Sequence, residues 1–385
     1  MKILYIHQYF KTPEEGGCTR SYHLAKGLIA GGYEVEMITS HDSKQSVENI
    51  DGIKVRYLHI PYSNHFGFLK RMHAFYRFVK LAIRESEKVS NVDLAYVMTT
   101  PLSTGLIAQH LKKKRGIPYY FEVGDLWPEA PVQMGVVKNH FLKSMLYRFE
   151  RTCYREAKRV VALSPDIRDY IKQIVPESKI DLVTNISHCE YYEPKFNVKV
   201  FTNENTFRIG YFGTLGKANG LEVFLNLAKE SEKTSLPIEF HIMGEGSELE
   251  NLQKIANQSP NVLFHDFGSK EKVKEMLDQM DGIYVSFKNI PVLSTGSPNK
   301  FFDGLAAGKL IVINFKGWIK QVIESSNCGF YHSPESTREF VDGIKSYIDN
   351  PETLVDAQKN ARKLGESSFD KKQLIAKLIK SITIS

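Results

Sequence analysis

Ser297-Pro298-Asn299-Lys300-Phe301-Phe302-Asp303-Gly304-Leu305-Ala306-Ala307-Gly308-Lys309-Leu310 encodes a helix with both ends marked. Ser297 offers an N-cap hydroxyl, Pro298 suits the first helical position, and Gly308 can take the left-handed conformation that closes a helix. The spacing predicts a helix from Pro298 to about Ala307. At about 100° per residue, Phe301, Phe302, Leu305 and Ala306 fall on one side, and Asn299, Lys300 and Asp303 on the other. One face packs and the other presents polar groups. Thr295, Gly296 and Ser297 stand at the N-terminal end, where free N–H groups and the helix dipole favour an anion. A phosphate there, with Asp303 one turn below to accept from ribose hydroxyls, outlines a nucleotide site. Lys300 on the same face serves a phosphate or pairs with Asp303 at i,i+3.

Outward from this helix, short apolar strands alternate with helical stretches, the pattern of parallel sheets covered by helices. One series has strands near Lys2–His7, Glu34–Thr39, Leu94–Met98, Tyr119–Val123, Val160–Leu163 and Ile180–Val183. The chain turns polar and irregular after Asn185, and a second series opens at Phe207–Tyr211. It continues near Pro237–Met243, Val262–Phe264, Gly282–Val285, Leu310–Asn314 and Gly329–Tyr331. The reading is α/β with two Rossmann-like domains, residues 1–190 and 200–365, followed by a terminal helix within 366–385. Leu374, Ile375, Leu378 and Ile379 give that helix an apolar stripe, so it docks on another element.

A chain of 385 residues is long enough for two cores. Its 42% hydrophobic and 25% charged content excludes disordered and collagen-like classes. No apolar run approaches the roughly 20 residues that span a bilayer, and Met1–Gln8 is too short and polar for a signal peptide, so a cytoplasmic protein is expected. Cys18, Cys153, Cys189 and Cys328 show no metal-ligand spacing and read as reduced thiols. The net charge of +7 suits an anionic partner, and no recognition motif points to nucleic acid.

Ligands of open parallel sheets bind beyond the carboxyl ends of the strands. On the second sheet, Gly213-Thr214-Leu215-Gly216-Lys217-Ala218-Asn219-Gly220 lets backbone amides approach a diphosphate while Lys217 adds charge, or is simply a tight turn with an exposed lysine. Gly244 and Gly246 form a further turn, and Phe267 and Gly268 another, as walls of the donor site. On the first sheet, Gly16 and Gly17 precede a helix and His7, His41 and Glu122 end strands, candidates for acceptor contact in the case of the last three. Asp125, just beyond Glu122, can position a hydroxyl or act as general base, or can cap a turn. Residues 61–84 interleave His65, Phe66, Phe68, Phe75, Tyr76 and Phe78 with Lys70, Arg71, Arg77, Lys80 and Arg84. That mixture suits a membrane surface and suits equally an amphipathic helix packed on the sheet.

These motifs resemble the retaining glycosyltransferases of family 4, with the GT-B fold of two facing Rossmann-like domains, and in particular bacterial enzymes of O-antigen and capsule synthesis. The resemblance runs the length of the chain and rests most on Asp125-Leu126-Trp127-Pro128 and Ser297–Asp303. It implies a sugar nucleotide, UDP-linked in the first instance, bound by the second domain through Gly213, Thr214, Gly244, Gly246, Phe267, Gly268, Thr295, Gly296, Ser297, Asn299, Lys300 and Asp303, with Gly16 and Gly17 of the first domain also contacting the donor. It implies an acceptor on the first domain, a sugar or a lipid-linked saccharide, a terminal helix that crosses back, and neither metal nor cofactor. Asp125 and Lys217 take the catalytic roles. The family pattern has two glutamates eight positions apart; here Asp303 keeps the ribose role, and Thr295 replaces the carboxylate that faces the donor sugar. Thr214 and Asn219 stand where the pattern has arginine and lysine, which leaves Lys217 as the cation of that loop. An epimerase on the same fold and a non-catalytic binding protein are the rival readings.

Overall fold

The computed structural model describes residues 1–17, 19–63 and 66–384, apart from the side chain of Phe68. Cys18 and His65, named above, lie outside the described residues.

The first sheet has eight strands: β1 Lys2–Ile6, β2 Glu34–His41, β3 Val47–Ile50, β4 Ile53–His59, β5 Leu94–Met98, β6 Tyr119–Val123, β7 Arg159–Ala162 and β8 Ile180–Leu182. They run in the order β3-β4-β2-β1-β5-β6-β7-β8, all parallel except β3 against β4. The second sheet has six: β9 Phe207–Phe212, β10 Ile238–Met243, β11 Val262–His265, β12 Gly282–Val285, β13 Leu310–Ile313 and β14 Gly329–Tyr331. Its order is β11-β10-β9-β12-β13-β14 and all pairs are parallel. Strands such as Leu94-Ala95-Tyr96-Val97-Met98 are buried along their whole length because helices cover both faces. This bears out the expected GT-B architecture. The β3–β4 hairpin was not expected; it turns on Asp51 and Gly52, both with positive φ.

The connection reverses direction between β1 and β5 in the first sheet and between β9 and β12 in the second. At such a reversal the loops beyond neighbouring strands diverge and open a crevice. The terminal helix, Lys371–Ile384, returns to the first domain and packs on the Arg20–Ala30 helix. Leu374, Leu378 and Ile382 enter the core formed by Ile3, Leu24 and Leu28, and the Tyr120 hydroxyl donates to the Ser381 carbonyl at 3.0 Å. Gly27 and Gly31 make room for this approach, since a Cβ on Gly27 would stand 2.3 Å from Ile375 Cγ2.

Within segment 61–84, residues 68–84 belong to a helix, Phe68–Glu87, that packs on the first sheet. Phe75 and Phe78 belong to the core, so they are removed from any surface role, whereas Leu69, Met72 and Tyr76 are exposed beside Lys70, Lys80 and Arg84. Cys153, Cys189 and Cys328 are free and buried.

Candidate functional site

A cavity of about 290 Å³ lies between the domains, at the reversal points of both sheets. The first domain lines it with His7 and Tyr9 beyond β1, Met98 and Thr100 beyond β5, and Asp125 beyond β6. The second lines it with Phe287, Val292, Leu293, Gly296, Ser297 and Pro298, between β12 and the following helix.

Asp125 projects into this space and accepts a hydrogen bond from the Thr100 hydroxyl at 3.4 Å. Desolvation in the cleft raises its pKa, against the pull of that hydrogen bond. Thr100 has φ +91°, a left-handed value rare for a threonine and a cost that functional sites tend to carry. His7 is buried with Nδ1 at 2.8 Å from the Ser21 hydroxyl. Burial, aided by the Arg20 guanidinium, pushes its pKa down to about 3, so it meets the cavity as a neutral imidazole.

Glu122 and His41 are not brought to the cavity. The Glu122 carboxylate is fully buried and bidentate with Arg20, at 3.0 and 3.1 Å, and takes the Tyr96 hydroxyl as well. Arg20 also donates to the carbonyls of Val183 and Thr184. His41 closes a local turn, where Nδ1 accepts from the amides of Ser43 and Lys44 at 3.1 Å, and its ring meets Tyr57. Both are engaged in holding the first domain together.

The decisive helix runs Asn299–Ala306, with Pro298 at its N-cap and Gly308 at φ +60° beyond its end. Ser297 does not cap it, because its hydroxyl faces the amide of Asn185 at 3.4 Å across the domain boundary. Nor do Thr295 and Gly296 offer free amides. They end a short helix, Pro291–Ser294, and donate to the carbonyls of Val292 and Leu293. The Thr295 hydroxyl likewise donates to Val292 at 2.8 Å. The open amides are those of the first turn, Asn299 and Lys300, which lack intrahelical acceptors as in any helix. Asp303, one turn on, accepts from Lys270 Nζ at 2.6 Å and from the Tyr192 hydroxyl at 3.3 Å. Lys270 and Tyr192 had no sequence signal, since one starts a distant helix and the other lies in the irregular linker.

The glycine turns prove to be mutual. A Cβ on Gly244 would stand 1.9 Å from the Gly213 carbonyl oxygen, and one on Gly246 2.4 Å from that of Leu215. The Leu215 amide donates to Glu245 at 2.8 Å, so the two turns form one packed unit beyond β9 and β10. Thr214 and Lys217 are on its exposed side. Across the cleft, Gly16 and Gly17 have φ +71° and +79°, and a Cβ on Gly16 would stand 3.9 Å from the Gly268 carbonyl oxygen. Phe267 is exposed beside it. Among the described residues, no group of three or more His, Cys, Asp or Glu side chains is arranged to hold a metal ion.

Residues 15–185 match the model of a glycosyl transferase 4-like domain, and residues 193–364 that of glycosyl transferases group 1. By both of its domains, the chain belongs to the glycosyltransferases. An uncharacterized glycosyltransferase from Haemophilus influenzae is 24% identical over 190 residues, covering 49% of this chain and 52% of that relative, so the chain matches about half the relative's length. Among solved structures, sucrose-phosphate synthase from Thermosynechococcus elongatus superposes with a TM-score of 0.78 at 14% identity, over 100% of this chain and 98% of that one. HepE from Anabaena, in complex with UDP and glucose, gives 0.70 at 16% identity over 100% of both chains. WaaG, a glycosyltransferase involved in lipopolysaccharide biosynthesis, gives 0.69 at 15% identity over 100% of both. At these identities the likeness shows the shared fold.

Proposed function

We propose that this glycosyltransferase moves a sugar from a nucleoside diphosphate sugar to a hydroxyl of an acceptor, with retention at the anomeric carbon. The observation that carries the reading is the cavity between the sheets, with Asp125 on one wall and the start of the Asn299–Ala306 helix on the other. A donor laid along that helix would bring its ribose to Asp303 and its diphosphate to the open amides of Asn299 and Lys300. The sugar would then face Asp125, whose carboxylate accepts from the acceptor hydroxyl and orients it. Attack from the face that the diphosphate leaves lets the leaving phosphate oxygen take the hydroxyl proton, so configuration is retained. The protein's own amides and cations would meet the charge of the diphosphate without a bound metal. UDP-linked donors are the first to assay, because HepE has been captured with UDP and with UDP-glucose.

The acceptor reading is a lipid-linked saccharide at the inner face of the cytoplasmic membrane. No described helix is long and apolar enough to cross a membrane. The first domain nevertheless exposes Leu69, Met72 and Tyr76 on one helix, Leu106 on the next, Thr104–Arg115, and Phe141 and Met145 on a third, His140–Glu156. These helices pack side by side and follow strands of the first sheet, so their N-terminal ends share the cavity's edge of it. Apolar side chains among Lys70, Lys80, Arg84 and Lys143 fit a surface of anionic lipid.

The test supplies UDP-, GDP-, ADP- and dTDP-sugars, with and without lipid diphosphate saccharides, and follows release of nucleoside diphosphate. Acceptor-dependent release with one donor is expected, lost in Asp125→Asn, together with flotation on anionic vesicles that Leu69→Glu with Tyr76→Glu abolishes. Product from donor alone would make the protein an epimerase, and binding without turnover a sugar-nucleotide binding protein.

A further inference from the structure

Lys300 is a cation with no ion-pair partner within 4 Å among the described residues. Its ammonium lies over the face of Tyr211, 4.6 Å from the ring centre, and a Cβ on Gly213 would stand 3.7 Å from Nζ. It therefore sits beneath the turn by which residues 213–220 leave β9. The nearby carboxylate is taken, since Asp303 gives Oδ1 to Lys270 at 2.6 Å. Among the described residues Lys300 forms no ion pair.

The other groups around it do not change that balance. Tyr211, from β9, presents its ring, and its hydroxyl donates to the Thr214 carbonyl at 2.7 Å, which fixes the ring under the loop. Asp303 belongs to Lys300's own helix, and Lys270 and Tyr192 reach it from the Lys270–Gln279 helix and the linker. Burial outweighs the pull of Asp303 and pushes the Lys300 pKa down to about 8. An ammonium so placed is costly in the empty protein and is stabilised by an arriving anion. Lys217, by contrast, is exposed on a single turn, Lys217–Asn219, where water and salt screen its charge.

We propose that Lys300, in place of Lys217, neutralises the leaving diphosphate and is a catalytic residue of the transfer; this rests on the reading of the cleft as a nucleoside diphosphate sugar site. In the step, the bond from the anomeric carbon to the β-phosphate oxygen breaks and its electron pair stays on that oxygen. The acceptor oxygen forms the new bond to carbon, and its proton passes to the departing phosphate. Lys300 stays protonated throughout and donates to the diphosphate as the charge grows. The face of Tyr211 holds the cation without neutralising it.

The experiment compares the unmodified chain with Lys300→Met and Lys217→Met, titrated calorimetrically with UDP, GDP and ADP and, by competition, with the matching nucleosides. Lys300→Met should weaken the best nucleoside diphosphate by about 10- to 100-fold. It should leave the nucleoside unchanged, and should keep or raise the melting temperature of the empty protein, because an unpaired charge has gone. The pH dependence carries a signature. Below pH 8 the free protein already holds the Lys300 proton; above it the proton must be taken up on binding, so affinity should fall as pH rises through about 8. Lys300→Met should abolish that fall and Lys217→Met should retain it. Diphosphate binding unaffected by Lys300→Met would overturn the inference alone. So would equal losses for nucleoside and diphosphate with a lowered melting temperature, the mark of a structural role. No binding of any nucleoside diphosphate by the unmodified chain would overturn the donor reading and the inference together.

Discussion

Glu122 and Asp125 are three residues apart and have opposite environments. Glu122 ends inside the first domain, bidentate with Arg20, and Asp125 opens into the cavity. Removing one member of a buried pair strands the other charge, so Glu122→Ala should lower unfolding stability by about 3–5 kcal/mol, read by urea denaturation. An acceptor-contact role for Glu122 would instead spare stability and raise the acceptor KM. Local sequence could mark both carboxylates as strand-end groups but could not separate them, because Arg20 lies 102 residues away. The same limit applies to Lys217 and Lys300. A glycine turn made Lys217 conspicuous, whereas the face of Tyr211 that places Lys300 comes from a strand nearly ninety residues earlier.

At the scale of elements, the most legible features were those written locally. The Asn299–Ala306 helix lies within one residue of its expected bounds, because proline and glycine punctuate it. The amides of Thr295 and Gly296 are taken by the preceding turn, which leaves those of Asn299 and Lys300 open at the helix start. The β3–β4 hairpin was equally written, as Asp51-Gly52 between strand-like runs, and went unread beside the stronger parallel pattern. What no local pattern conveys is that the turns at Gly213 and Gly244 are a single unit. Gly244→Ala would put a methyl 1.9 Å from the Gly213 carbonyl oxygen, a backbone atom with no rotamer to yield. Backbone must shift, at about 1–3 kcal/mol, and the shift falls on the loop beside Lys300. Weaker nucleoside diphosphate binding is the expected result, measured by calorimetry, with the first domain's contribution to unfolding unchanged.

Over the whole molecule, the domains meet through hydrogen bonds that also position the donor side. Ser164 donates to the Thr295 carbonyl at 2.6 Å, Ser187 to that of Phe302 at 3.1 Å, and the Trp318 amide to Asp166 at 3.2 Å. The terminal helix adds a second tie, from the end of the chain to its beginning. Gly27→Leu should push Ile375 off the Arg20–Ala30 helix and cost about 1–3 kcal/mol, read as a lower urea midpoint for the whole chain. That tie also governs the order of assembly during synthesis. Residues 1–190 leave the ribosome first, yet the core that holds Leu24 and Leu28 is completed only when Leu374, Leu378 and Ile382 arrive. Until then the nascent first domain leaves part of that core open to water, and it is finished only after the second domain has been made.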